Sequence, residues 1–137
     1  MSANLDLVRS IFAAWELGDW SSTDWAHPEL EFDIPDGPEP GVRVGVAAMA
    51  ASWQQWLSAW EGYRIEAEEF RELDEERVFV LTRYGGRGKT SRLEIGDAGG
   101  TKAATLFHLR DGKVIRLVGY NNREQALADV GLAPEGG

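Results

Sequence analysis

The chain has 137 residues, with 14 basic and 23 acidic side chains for a formal net charge of −9, and no cysteine. That length suits one domain, read here as residues 1–137, which would bury roughly two thirds of its unfolded surface. The acidic balance repels phosphate backbones and anionic lipid, so nucleic-acid and membrane partners are not expected, and the missing cysteines exclude disulfides and thiolate metal sites.

The start, Met1 to Asp6, lacks a basic segment followed by an apolar one, and no apolar run approaches membrane-spanning length. The expected location is therefore the cytoplasm. From Leu5 to Leu17, the residues Leu5, Val8, Ile11, Phe12 and Trp15 recur at helical spacing, with Gly18 as the stop. Asp19 is placed to cap a short second helix running toward Trp25. His27-Pro28-Glu29 reads as a turn, because proline pushes its predecessor out of the helical region. Leu30, Phe32 and Ile34 then alternate with Glu31 and Asp33 as a short strand does.

Pro35 to Gly41 holds three of the five prolines and reads as a loop. Val46, Met49, Trp53, Trp56, Leu57 and Trp60 follow at intervals of three and four, predicting another helix with an aromatic stripe. After Gly62 the period changes to two. Strands are expected over Tyr63 to Leu73, Arg77 to Tyr84 and Ser91 to Ile95, with a loose connection at Asp97-Ala98-Gly99-Gly100. Val78, Val80 and Thr82 share one face of the second strand and Phe79 and Leu81 the other, so both faces should be covered.

Phe107 to Tyr120 reads as a hairpin turning at Asp111-Gly112, since a tight primed turn needs positive φ at its central residues. Asn122 with Gln125 fits a capping box, and Gly131 ends the short helix that follows. Helices, strand, helix, then a long meander and a terminal helix imply an α+β fold.

This order, with these junctions, resembles the nuclear transport factor 2-like superfamily in its SnoaL-like branch. The residues that carry the resemblance are Leu17-Gly18-Asp19, Gly41-Val42-Arg43-Val44-Gly45, Gly86-Arg87-Gly88-Lys89-Thr90-Ser91, Asp111-Gly112-Lys113-Val114 and the ending Arg123 to Leu132. The resemblance covers nearly the whole chain. It implies a cone: a strongly curved antiparallel sheet wrapped around N-terminal helices, with a pocket at the open end and frequent dimerisation through the sheet. Members include isomerases, polyketide cyclases, dehydratases, epoxide hydrolases and binding proteins, so the fold leaves the reaction open.

Asp33 and His108 are the candidate catalytic residues. Glu31 to Gly41 resembles the segment in which ketosteroid isomerases keep their general-base aspartate, and a carboxylate walled in by Trp and Phe would have its pKa raised toward neutrality. Alternation also pairs Asp33 with Glu31 opposite Phe32, which would direct both to water. His108 shares a face with Leu106 and Arg110, opposite Phe107 and Leu109, and is either an acid/base group in the cone or a half-buried structural histidine. His27, beside Pro28, reads as structural or exposed.

Those isomerases also place a tyrosine on the first helix, near where Ile11 stands, and a protonated acid where Leu106 stands. Each lost oxyanion donor costs about 10²–10³ in rate, so steroid isomerisation is not expected.

Trp15, Trp53, Trp56, Tyr84 and Tyr120 are the candidate ligand-binding residues; most of the tryptophans could equally fill the core between helices and sheet. The two histidines lack metal-ligand spacing, and Gly85 to Thr90 lacks both the glycine and the helix a phosphate loop needs, so neither metal nor cofactor is expected. Arg83, Arg87 and Lys89 read as a solvated strand end.

Two functions stay open. One is proton transfer on a small apolar carbonyl or polycyclic compound, as an isomerase, cyclase or dehydratase, with Asp33 as base and His108 or Tyr120 as partner. The other is a non-catalytic module for binding a small apolar ligand or for dimerisation. A homodimer through the sheet is expected because helices cover only one of its apolar faces.

Overall fold

The computed structural model describes residues 3–20, 23–35, 41–58, 60–88, 94–95 and 101–132. Helix α1 (Ala3–Glu16) leads to strands β1 (Ala26–Asp33) and β2 (Arg43–Val44), then helix α2 (Val46–Ser58). Strands β3 (Trp60–Glu72), β4 (Arg77–Gly88), β5 (Glu94–Ile95), β6 (Thr101–Arg110) and β7 (Lys113–Tyr120) follow, and helix α3 (Arg123–Asp129) closes the order. The sheet runs β2-β1-β7-β6-β4-β3, with β5 paired to β4. It is α+β, a curved and unclosed sheet with helices N-terminal to most of it.

Local chemistry sets the junctions. α1 stops where Gly18 takes a φ of +81°, and Asp19 N–H donates back to Ala14 O at 2.9 Å. In the β6–β7 turn Asp111 and Gly112 have φ of 53° and 78°, the primed geometry that matches strand twist. Asn122 caps α3, its Oδ1 accepting from Gln125 N–H at 3.0 Å.

Several elements depart from the sequence reading. Asp19, Trp20 and Thr23 to Trp25 are not helical. His27-Pro28-Glu29 lies inside β1, because the pairing with β7 jumps from Ala26↔Val114 to Glu31↔Arg116 and leaves a bulge that tolerates Pro28. Within that bulge His27 Nδ1 accepts from Glu29 N–H, a local turn embedded in a strand. The sheet is also not wholly antiparallel: β1 runs parallel to β7. Trp60 opens β3 instead of ending α2. The short edge strand β2, paired to β1 through Val44 and Arg43, is an element the sequence reading lacks. The predicted loops at 36–40 and 97–100, and most of the strand predicted over Ser91 to Ile95, lie outside the described residues.

β3 carries an extra residue between Ala67 and Glu69 against β4. This bulge at Glu68 shifts the alternation by one, so Ile65, Ala67 and Phe70 all pack on the helix side despite breaking period two. Val8, Ile11, Phe12 and Trp15 of α1 meet Val78, Val80, Phe107 and Leu117 there. On the outer face Phe79, Leu81, Ala104, Leu106 and Val118 pack under Ala126 and Leu127 of α3. The face that the sequence assigns to a partner subunit is thus covered within the chain.

Arg123, only 6% exposed, ties α3 to three strands. Its guanidinium donates to Ala103 O on β6, to Thr82 O on β4 and to Glu68 Oε1 on β3. Arg83 Nε reaches the other Glu68 oxygen at 3.0 Å. The Arg123 hydrogen bond, aided by Arg83, holds the Glu68 carboxyl below the usual range, so this contribution is present at neutral pH and is lost as acid protonates it. Arg123→Ala should therefore lower stability in urea unfolding by about 3 kcal/mol, because two carbonyls and a carboxylate lose their donor. Arg123→Lys should recover only part, since one ammonium cannot span all three acceptors. A loss below about 1 kcal/mol would show that the clamp is not needed.

Candidate functional site

A hollow inside the cone follows from the sizes of the inward-facing cross-strand rows. One row, Phe32–Leu117–Phe107–Val78, is bulky and packs solidly against α1. The next, Gly119–Thr105–Val80–Phe70, begins with no side chain at all. The third, Ala103–Thr82–Ala67, is small throughout. The fourth brings back bulk with Tyr84 and Ile65. Where the rows thin, the helices do not sink in to fill the gap, because the rigid rings of α1 and α2 prop against one another. Trp15 meets Trp53 edge-on at 5.4 Å, and Trp20 stacks on Trp15 at 5.0 Å.

The result is a cavity of about 130 Å³. Trp15, Trp20, Trp53 and Trp56 form one side, with Phe32, Ile34 and Leu57 beside them. Trp56, Tyr63 and Tyr84 make a triangle of rings with centroids 6.0–6.2 Å apart. All five sequence-derived ligand candidates, Trp15, Trp53, Trp56, Tyr84 and Tyr120, border this space, Tyr120 while also packing into the outer cluster under α3.

The polar groups at the wall are few and neutral. Tyr84 Oη donates to Asn121 Oδ1 at 3.4 Å. Burial pushes the Tyr63 phenol up to about 12, although a hydrogen bond from the Trp56 indole opposes the shift. Thr82, 1% exposed, borders the cavity with an Oγ1 that has no hydrogen-bond partner among the described residues. No carboxylate, imidazole or cation borders the cavity among those residues.

Asp33 and His108 are not brought together and do not border the cavity. Asp33 falls in the outward row with Val118, Leu106 and Phe79, and its Oδ1 accepts from Gly41 N–H at 3.1 Å. His108 lies in the outward row Glu31–Arg116–His108–Arg77, beside a polar cleft with Asp74, Glu76 and Arg110. Burial lowers its pKa, helped by Arg116 and Arg77, so the imidazole is neutral at pH 7. His27 is exposed in the β1 bulge. Arg83 is tied to Glu68.

Tyr63, Thr82, Trp20 and Asn121 also border the cavity and were missed as site residues. Thr82 had a signal: one hydroxyl in an inward row of valines. Asn121 had none, because it follows the last strand directly and precedes a cap.

A family model described as the SnoaL-like domain matches residues 8–117. The chain belongs to the SnoaL-like family. No curated protein matches it. Among solved structures, this SnoaL-like chain is similar to a nuclear transport factor 2-like protein of unknown function from Burkholderia pseudomallei, with TM-score 0.76 and 18% identity over 93% of this chain and 97% of that one. It is similar to TerC co-crystallised with polyporic acid, with TM-score 0.72 and 19% identity over 94% and 98%. A protein of ketosteroid isomerase-like fold from Catenulispora acidiphila, in complex with trimethylamine, aligns with TM-score 0.68 and 15% identity over 93% and 94%. At these identities the likeness is one of fold.

Spectroscopic titration of the tyrosines should show one phenol, Tyr63, ionising only at about 12. In Tyr63→Phe the lagging phase should vanish. Three phenols titrating together near 10 in the folded protein would place Tyr63 in water.

Proposed function

We propose that this SnoaL-like protein binds a small, largely apolar molecule in the aromatic cavity. The observation that carries the reading is the composition of the wall: tryptophan and tyrosine rings, a few neutral hydrogen-bonding groups, and among the described residues no ionisable group but tyrosine. Pockets that hold small organic molecules have this character, mostly apolar with a few convergent polar atoms. TerC with polyporic acid and the Catenulispora protein with trimethylamine are relatives in fold that hold small molecules, which supports the same use of the cone here.

Binding is preferred to proton transfer by Asp33 and His108 because a general base must come within hydrogen-bond reach of the proton it takes. Both side chains belong to outward rows, and Asp33 is engaged with Gly41. The reading also requires no second subunit, since α3 covers the outer apolar row that suggested a dimer.

Titration with neutral one-ring ketones and phenols should quench tryptophan emission and raise the melting temperature, since a ligand bound at 100 times its Kd adds about 2.7 kcal/mol to the native state. Asp33→Asn and His108→Gln should keep both responses. Gly119→Leu should lose affinity about tenfold or more, because the new side chain enters the hollow. A Cβ at Gly119 meets only Ile34 Cγ1 at 3.7 Å, so this variant should still fold. Full binding by Gly119→Leu, or no response from the parent protein to any such compound at millimolar concentration, would contradict the reading.

A further inference from the structure

Resting on the pocket reading above, we propose that Thr82 is the specificity-determining residue of this cavity and that its ligand is a neutral compound of one-ring size bearing a single hydrogen-bonding oxygen. Two independent features converge on this. The first is volume. The cavity, about 130 Å³, is close to the ~150 Å³ apolar cavity that takes up one benzene, so one ring fills the described hollow.

The second is the state of Thr82 itself. Buried hydroxyls in folded proteins nearly always have a partner, and one left alone carries its full desolvation cost. Thr82 sits in the middle of the thin row, between Ala103 and Ala67, neither of which offers a polar atom. Its own strand cannot move away, because its carbonyl is fixed from behind by Arg123. A carbonyl or hydroxyl oxygen entering the hollow would complete the site, with the ring against Trp53, Trp56 and Tyr84.

Charge narrows the class further. A carboxylate would be buried with no cation on the described wall, and such a charge is costly to desolvate. The surrounding rings could instead face an alkylammonium, but that ligand would satisfy Thr82 only if it carried an N–H.

A matched pair of probes tests this: cyclohexanone and methylenecyclohexane share shape and differ in one oxygen. Binding is read by tryptophan emission on the full chain, with melting temperature confirming the fold of each variant. Thr82→Val keeps the side-chain shape and removes the lone hydroxyl, so it should melt no lower than the parent. It should weaken cyclohexanone about tenfold while leaving methylenecyclohexane within about twofold, and Thr82→Ser should restore the ketone. Equal losses for both probes, or no loss for either, would overturn the assignment of Thr82 and leave the pocket standing. Binding of tetramethylammonium in place of the ketone would overturn the ligand class. Failure of the parent protein to bind either probe would overturn the pocket reading together with this one.

Discussion

Thr82 and Ala103 face each other across β4 and β6, and their two carbonyls share a single guanidinium from α3. The same two residues, with Ala67, make the thinnest row of the inner surface. Thin rows in a sheet normally invite collapse, because dispersion contacts are lost around any void. Here the backbone behind the void is fixed by Arg123, whose charge is met by the carboxylate of the bulged residue Glu68. The clamp and the hollow are two sides of one construction: outside, the buried Arg123 guanidinium joins three strands; inside, small side chains leave room.

The helices complete it. Trp15, Trp20 and Trp53 brace one another at ring-centroid distances of 5.0–5.6 Å, so they span the space without filling it. Rigid aromatics do this better than aliphatic chains, which would re-pack into the gap. A wall of rings with a few neutral polar atoms suits molecules that partition out of water and carry one point of recognition. It suits charged ones poorly. In the SnoaL-like family the cone is common to proteins with different roles, so the side chains of these few rows decide what a given member holds.

Much of the fold was legible in short-range chemistry. Asp111-Gly112 announced its primed turn, Asn122 and Gln125 their cap, and Gly18 the end of α1, because each depends on residues within a few positions. What escaped depended on distant partners. The parallel pairing of β1 with β7 joins residues 85 to 88 positions apart in sequence, and nothing local marks it. The bulge at Glu68 is visible only as a broken alternation before Phe70 and needs β4 to give it meaning. Residues of the site divided the same way. The aromatic candidates follow from bulk and spacing alone. The outward placement of His108 was implicit in its strand, since Phe107 and Leu109 claim the inner face. A pocket was expected only from the family resemblance, and its position was not legible in the residues: it arises from the alignment of Ala67, Thr82 and Ala103 on three strands, and register between strands is not written in any one of them.

The most direct measurement is a crystal structure of the protein soaked with 4-bromophenol, located by the anomalous signal of bromine. One peak should appear inside the cone among Trp53, Trp56 and Tyr84, with the phenolic oxygen about 2.8 Å from Thr82 Oγ1. A cone interior packed solid with side chains, or bromine found only on the outer face near His108, would contradict it.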